Sequence, residues 1–480
     1  MKLRSALPVL VCLLVACTRG PADTSPGRPL ASQAMEADSA PPATAPSNQA
    51  HSSPPSGAVP ADAAVACESG YELKDGKCAD IDECGFVATP CGTPLATCSN
   101  KPGSYECTCP RGYIGGGPLG IACTPRLVTS PGATCIFPES GGILCWGAEK
   151  LGIASDGIQR NPSAELSPLS SSRPVVSLAV GNDHACFLHE DGSVACWGYF
   201  RTGRPVVPKG GFEPAPVPIP GLRDIIAVTA GGAHSCAVQR GGALYCWGAN
   251  YSLQLGVDTG GNPSDPLLVP IPPVVAVSAG TNHTCALHAN GTVRCWGDNS
   301  FKQLGTGLEL PRTAALPAEV RDLQGAVQLA AGGGANGAVL SDGRAVWWGT
   351  SEADNVTKYA VGKSTTVGAS VIGELTQVVG VESFNDSVCV LLRDGAAHCQ
   401  GSGMLGNGTL RDSLKPVRVR APSPAVAIAM SVDQRCLLHV DGGVSCWGSK
   451  ANKLNGDGHG DWVTTPRRVP DVKVFEVASP

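Results

Sequence analysis

Charge is scarce in this chain: of 480 residues only 16% are Asp, Glu, Lys or Arg, and they sum to a net charge of −5. A protein that grips nucleic acid needs a basic stripe to displace the counterions of the phosphates, so no nucleic-acid partner is expected. Catalytic signatures are missing as well. There is no G-x-S-x-G, no H-E-x-x-H and no glycine loop built to cradle a phosphate, and the chain reads as a non-enzyme. The apolar run from Ala6 to Ala16 falls short of the roughly 20 residues that a spanning helix needs. Thr18 to Ala66 contains no Phe, Tyr, Trp, Ile or Cys, so that stretch cannot bury enough apolar surface to offset its ordering entropy.

What is abundant points to strands. The 61 glycines and 40 prolines are dispersed among short apolar runs, which implies many turns between many short strands and an all-β fold. At the N-terminus Lys2 and Arg4 precede the apolar run, as in an export signal. The run ends Leu14-Val15-Ala16-Cys17, which resembles the lipobox of bacterial lipoproteins. That resemblance implies removal of residues 1–16, lipidation of Cys17 and a membrane anchor, and Thr18 resembles the sorting residue of outer-membrane cargo. Residues 17–66, rich in Pro, Ala and Ser, would then be a tether. The expected location is the cell envelope, as an outer-membrane lipoprotein facing the periplasm or the cell surface.

The chain has 22 cysteines. With Cys12 in the signal and Cys17 lipidated, the rest partition fully. Cys67 pairs naturally with Cys78, six lie between Cys84 and Cys123, and the remainder form C-x9-C pairs: Cys135 and Cys145, Cys186 and Cys196, Cys236 and Cys246, Cys285 and Cys295, Cys389 and Cys399, Cys436 and Cys446. An even, fully partitioned set on an exported chain argues for structural disulfides.

The six cysteines from Cys84 to Cys123 sit in a stretch too short for a core without covalent staples, and on spacing alone fifteen connectivities are open. Asp80-Ile81-Asp82-Glu83-Cys84, Cys98-Ser99-Asn100 and Gly103-Ser104-Tyr105-Glu106-Cys107-Thr108-Cys109 closely resemble a calcium-binding EGF-like domain over residues 80–123. The resemblance implies the pairing Cys84 with Cys98, Cys91 with Cys107 and Cys109 with Cys123. It also implies Ca²⁺ held by Asp80, Glu83 and Asn100 side chains and by the carbonyls of Ile81, Lys101 and Ser104, an oxygen set suited to a hard cation. Upstream, residues 67–79 resemble only the C-terminal disulfide hairpin of such a module, so Ca²⁺ would stiffen the joint between the two.

Beyond residue 126 the sequence repeats. The segment from Val277 to Gly297 has counterparts centred on Ser140, Asp191, Gly241, Asp342, Asp394 and Asp441, a period that suits a four-stranded propeller blade. Each copy places glycine after its central residue (Gly141, Gly192, Gly242, Gly291, Gly343, Gly395, Gly442), which predicts a three-residue hairpin loop ending in a left-handed position. Counting outward, each cysteine pair falls on a non-hydrogen-bonded site, where a disulfide is geometrically feasible. The fifth copy has Gly337 and Trp347 in place of both cysteines. The composite G-x-x-H-[AST]-C, D-G-x-V-x-C-W-G and Gln-Leu-Gly resembles the RCC1 repeat, which implies a seven-bladed RCC1-like β-propeller over residues 126–480. Val472 to Ala478 matches the strands that open other copies, and is expected to complete the first blade beside Arg126 to Gly147.

His184, His234 and His283 share one repeat position and are read as structural hydrogen-bonding residues, and the recurring tryptophans as core between blades. The functional expectation is a membrane-anchored binding or adhesion protein. Its variable loops, such as Tyr199 to Asp224 and Gly349 to Gln377, would engage a protein or a cell-surface polymer. The alternative is an inhibitor that caps a secreted hydrolase, as other bacterial RCC1-like propellers do.

Overall fold

A computed structural model describes residues 67–475 apart from 85–95, 148–162, 201–210, 350–368, 449–461 and shorter gaps. The signal region, the lipobox cysteine Cys17, the tether, Glu83, Cys91 and the central parts of both candidate loops therefore lie outside the described residues.

Seven four-stranded antiparallel sheets follow one another, each with its strands in sequence order. The first strands of successive blades (Leu127–Thr129, Val175–Val180, Ile225–Ala230, Val274–Ala279, Ala326–Ala331, Val378–Phe384 and Ala425–Met430) touch one another in turn, and the seventh returns to the first. They form the wall of a central channel. In each blade the second and third strands join through the expected loop: in blade 2 the Gly192 N–H donates to the His189 carbonyl at 3.0 Å, with Gly192 at φ 75°. Only glycine takes that conformation without strain.

The cysteine pairs stand directly opposite one another on those two strands. All six pairs are bonded, with Cα atoms 4.0–4.1 Å apart, the close spacing of a non-hydrogen-bonded pair. In blade 5 Gly337 faces Trp347 instead. A Cβ on Gly337 would come within 2.6 Å of Val381 in blade 6, so this blade fills the disulfide's space with an indole and lets its neighbour close in.

The C-terminal strand departs from expectation. Val463–Lys473 is the outermost strand of blade 7, and the innermost strand of blade 1 is Leu127–Thr129, paired Val128 to Cys135. Just past the end of Val463–Lys473 the chain reaches blade 1: Val474 accepts from the Glu139 N–H at 2.7 Å, and Val474 and Phe475 are buried with Leu127, Ile136 and Trp146. The opening strand expected at Val472 to Ala478 is not what the chain builds there: Val472 and Lys473 end the outer strand of blade 7, residues 476–478 lie outside the described residues, and blade 1 already has its inner strand at Leu127.

Before the propeller come three hairpins, Tyr71–Lys74 with Lys77–Asp80, Thr97–Lys101 with Ser104–Thr108, and Tyr113–Gly116 with Ile121–Pro125. Disulfides Cys67–Cys78, Cys84–Cys98 and Cys109–Cys123 brace them, with Cα atoms 5.5–5.6 Å apart. Cys107 is also disulfide-bonded.

Candidate functional site: the channel and its two mouths

The histidines of the repeat do not converge. Each sits at the start of its blade's second strand and reaches the following blade: His184 Nε2 to Ser235 Oγ at 2.7 Å, His234 Nε2 to Thr284 Oγ1 at 2.9 Å, and His283 Nε2 to Asn336 Oδ1 at 2.7 Å. The same two positions join blade 7 to blade 1 through Thr134 and Gln434 at 2.6 Å, and blade 6 to blade 7 through Ser387 and Arg435 at 3.3 Å. Where both positions are apolar, as with Ala133 and Ala185, the girdle is packed and not bonded. Burial and the neighbouring imidazoles push His234 down to about 3, and burial lowers His283 as well. Both are therefore neutral spacers.

The Gln-Leu-Gly motif belongs to the same girdle. Thr284 Oγ1 and Trp296 Nε1 both donate to the Gln254 carbonyl, at 2.8 and 2.9 Å, and Asn336 Nδ2 and Trp348 Nε1 repeat this on Gln303 at 2.8 and 3.0 Å. Each tryptophan is thus tied to the preceding blade. At the channel the blades approach through glycine. A Cβ on Gly181, Gly231 or Gly280 would collide with the carbonyl oxygen of the next blade's glycine, while the Gly232 N–H donates to Thr281 and the Thr281 N–H to Gly332 across the seams.

This glycine ring marks one mouth of the channel, because every first strand ends there. The loops between third and fourth strands emerge on the same face, and Tyr251, Phe301, Leu410 and Trp462 in those loops are exposed at 58, 38, 52 and 46%. Tyr251 donates to Asn282 at 2.9 Å, and Phe301 lies over Gly334, so both aromatics lean toward the mouth.

The opposite mouth is covered. Tyr113–Gly116 packs on Val175–Val180, and Ile121–Pro125 packs on Ile225–Ala230 and Ala425–Met430. Gly112 has φ 87°, and a Cβ there would lie 2.7 Å from Val426. Arg126 locks the joint: its N–H donates to the Gly112 carbonyl at 2.8 Å, its Nε to Tyr113 O at 3.1 Å and its Nη1 to Phe137 O at 3.0 Å. Arg240 Nη1 donates to Tyr105 Oη at 2.9 Å. Tyr113 stands close enough to Glu382 in the channel for that carboxyl, together with burial, to raise its phenol.

Glu382 is the residue that the sequence reading missed. It lies on the first strand of blade 6 opposite Cys389, where other blades carry Val128, Ala179, Thr229, Ser278, Ala330 and Ala429. A lone carboxylate among small residues in aligned copies was the available signal. It keeps contact with channel solvent yet is walled by protein on every side, and this desolvation pushes it up to about 8.

Of the proposed calcium ligands, Asp80 and Asn100 meet across the first two hairpins, Asn100 Nδ2 donating to Asp80 Oδ2 at 2.7 Å. Ile81, Lys101 and Ser104 flank them in the chain, with Asn100 paired to Tyr105 and Lys101 to Ser104. A carboxylate and an amide side by side suit a hard cation, with the amide turned to present its oxygen.

Comparison with known proteins follows this division. Regulator of chromosome condensation (RCC1) repeat models match residues 175–203, 225–254, 274–303 and 241–287, and a calcium-binding EGF domain model matches 80–123. Human protein disulfide isomerase CRELD2 is 47% identical over 47 residues, 10% of this chain and 13% of that protein. Mouse latent-transforming growth factor beta-binding protein 4 is 46% identical over 48 residues, 10% of this chain and 3% of its own. The chain thus spans only a small part of these relatives. Among solved structures, Prp20p from Saccharomyces cerevisiae aligns with a TM-score of 0.59 at 18% identity, covering 72% of this chain and 88% of its own. Human WBSCR16 aligns at 0.55 and 20%, covering 65 and 85%. Many disulfides and an EGF-type module are the marks of a secreted or extracellular protein. The chain therefore carries RCC1 repeats in a seven-bladed, disulfide-rich propeller behind an EGF-like domain.

Proposed function

We propose that this is a non-enzymatic binding protein held at the cell envelope by lipid on Cys17, with the glycine-ring face of the propeller as its partner surface. One observation carries the choice of face. The EGF-like hairpin occupies one mouth of the channel, so Tyr251, Phe301, Leu410 and Trp462, exposed on the other face, are the side chains placed to anchor a protein or a surface polymer. The repeat positions that carry histidine are used to join blades. Ca²⁺ at Asp80 and Asn100, with Glu83, would brace the first two hairpins and so hold the outlying module at a fixed angle to the propeller.

Capture from envelope extracts by the full chain, compared with a Tyr251→Ser/Phe301→Ser/Leu410→Ser variant, tests this reading. Partner recovery is expected to fall with the variant and to survive Arg240→Ala on the covered face. Equal recovery with the triple variant overturns the assignment of the face. A stoichiometric complex that silences a hydrolase would identify the partner as an enzyme and the protein as its inhibitor.

A further inference from the structure

The channel holds a cavity of about 110 Å³ at the glycine-ring mouth. It is far smaller than the roughly 300 Å³ or more of a metabolite site, and it is lined by the ends of all seven first strands. One acceptor faces it without a partner among the described residues: the Glu382 carboxyl of blade 6 lines the cavity and makes no hydrogen bond, whereas Thr129 of blade 1 lines it with its hydroxyl closed off from solvent. The lining contains no other titratable group, and no lysine or arginine to balance Glu382. A desolvated carboxyl without a counter-charge is a standing cost that a cation of the right size removes.

One carboxylate is too little for Ca²⁺, which collects six to eight oxygens, and a cavity of about 110 Å³ favours a compact cationic head over a planar guanidinium. An ammonium is compact, carries three donors and arrives on a thin methylene stem. We propose that this cavity binds a primary alkylammonium group, with the end of a partner's lysine side chain as its source, seated on Glu382. The inference rests on the proposed binding face and gives its chemistry.

Calorimetric titration of the full chain with n-butylamine, with the peptide acetyl-Gly-Lys-Gly-amide and with n-butanol tests it. Both amines are expected to bind and butanol not. Affinity should rise several-fold between pH 6 and pH 8.5, with heat that varies with the buffer because Glu382 gives up its proton on binding. Tyr113, the neighbouring titratable group, stays protonated through this range. Tighter binding of the peptide than of n-butylamine identifies lysine as the source, and equal binding a free amine. Glu382→Gln should weaken both amines at least 10-fold, with an unchanged fold by circular dichroism. Absence of amine binding at millimolar concentration, or binding that survives Glu382→Gln, overturns the proposal. Either result leaves partner capture by the loops intact, since that is read separately from the Tyr251, Phe301 and Leu410 variant.

Discussion

Thr284→Val offers the sharpest test of the interblade girdle. The hydroxyl of Thr284 donates to Gln254 O at 2.8 Å, so toward His234 it must accept, and this fixes the proton on His234 Nε2. Valine keeps the shape and deletes both bonds. His234 is fully enclosed, its Nδ1 already lacks a partner, and its Nε2–H would become a second unpaired polar group. A buried donor stripped of its acceptor costs about 1–3 kcal/mol. Gln254 O keeps its bond from Trp296 Nε1, so its share of the loss is small. The expected destabilisation is about 2 kcal/mol, against about 1 kcal/mol or less for Thr284→Ser, which retains the hydroxyl. Repeat proteins can unfold in parts, so denaturant melts should be joined with hydrogen exchange at the blade 3 to blade 4 seam. A cycle with His234→Gln should return a coupling of about 1 kcal/mol. A valine variant within 0.5 kcal/mol of the parent, with exchange unchanged at that seam, would show that the histidines do not bear on blade contacts.

Four further outcomes are expected. Stability should fall as acid is added below pH 6.5: His234 binds its proton only near pH 3 when folded but near 6.5 when unfolded, so the unfolded chain takes up more protons in that window. The loss is at most about 1.4 kcal/mol per pH unit for this group, read from melts at pH 4 to 7. Glu382→Gln should act in the opposite direction: the parent carboxyl titrates near 8 folded and near 4.5 unfolded, so its contribution is present at pH 4 and lost as pH rises to 8. The variant should therefore gain on the parent at pH 8. Replacing both Cys236 and Cys246 by Ala should cost about 2.5–3 kcal/mol through the loop entropy of a short crosslink, measurable by denaturation; a change under 0.5 kcal/mol contradicts it. Removing Ca²⁺ with chelator should expose the chain near Cys78 to protease, and an unchanged cleavage pattern would count against a calcium-braced joint.

The blade architecture was legible because each element leaves a local mark. The loop glycines, the opposed cysteines and the tryptophan that follows the second cysteine position in all copies but the sixth, where Gln400 follows Cys399, are set by backbone geometry within one hairpin. The joints between blades were half legible. His234 and Thr284 are about fifty residues apart, and only the recurrence of histidine at one repeat position hinted at a common duty. What sequence left dark was anything that depends on which surface meets which. Tyr113 reads as an ordinary EGF aromatic, and nothing local says that it enters a propeller channel. Glu382 reads as one acidic residue in a strand until the copies are laid side by side.

Closure of the ring depends on the same kind of surface contact. Many ring-shaped sheets guard against opening by building one blade from both chain ends, since unpaired edges invite other strands. Among the described residues that device is reduced to Val474 and Phe475 at the base of blade 1, and blade 1 supplies its own inner strand. The seam between blades 7 and 1 is then held by Thr134 with Gln434 and by one shared apolar cluster. The EGF-like hairpin adds what strand exchange does not. Its two strands rest on blades 2, 3 and 7, so it spans the seam from both sides, and Arg126 ties it to blade 1 between them. Opening the ring at that seam would have to pull this hairpin off one side, exposing Tyr113, Val426 and Leu438. The module in front of the propeller is thereby part of its closure, which accounts for a tight, glycine-dependent contact at Gly112 where a flexible linker would have served mere attachment.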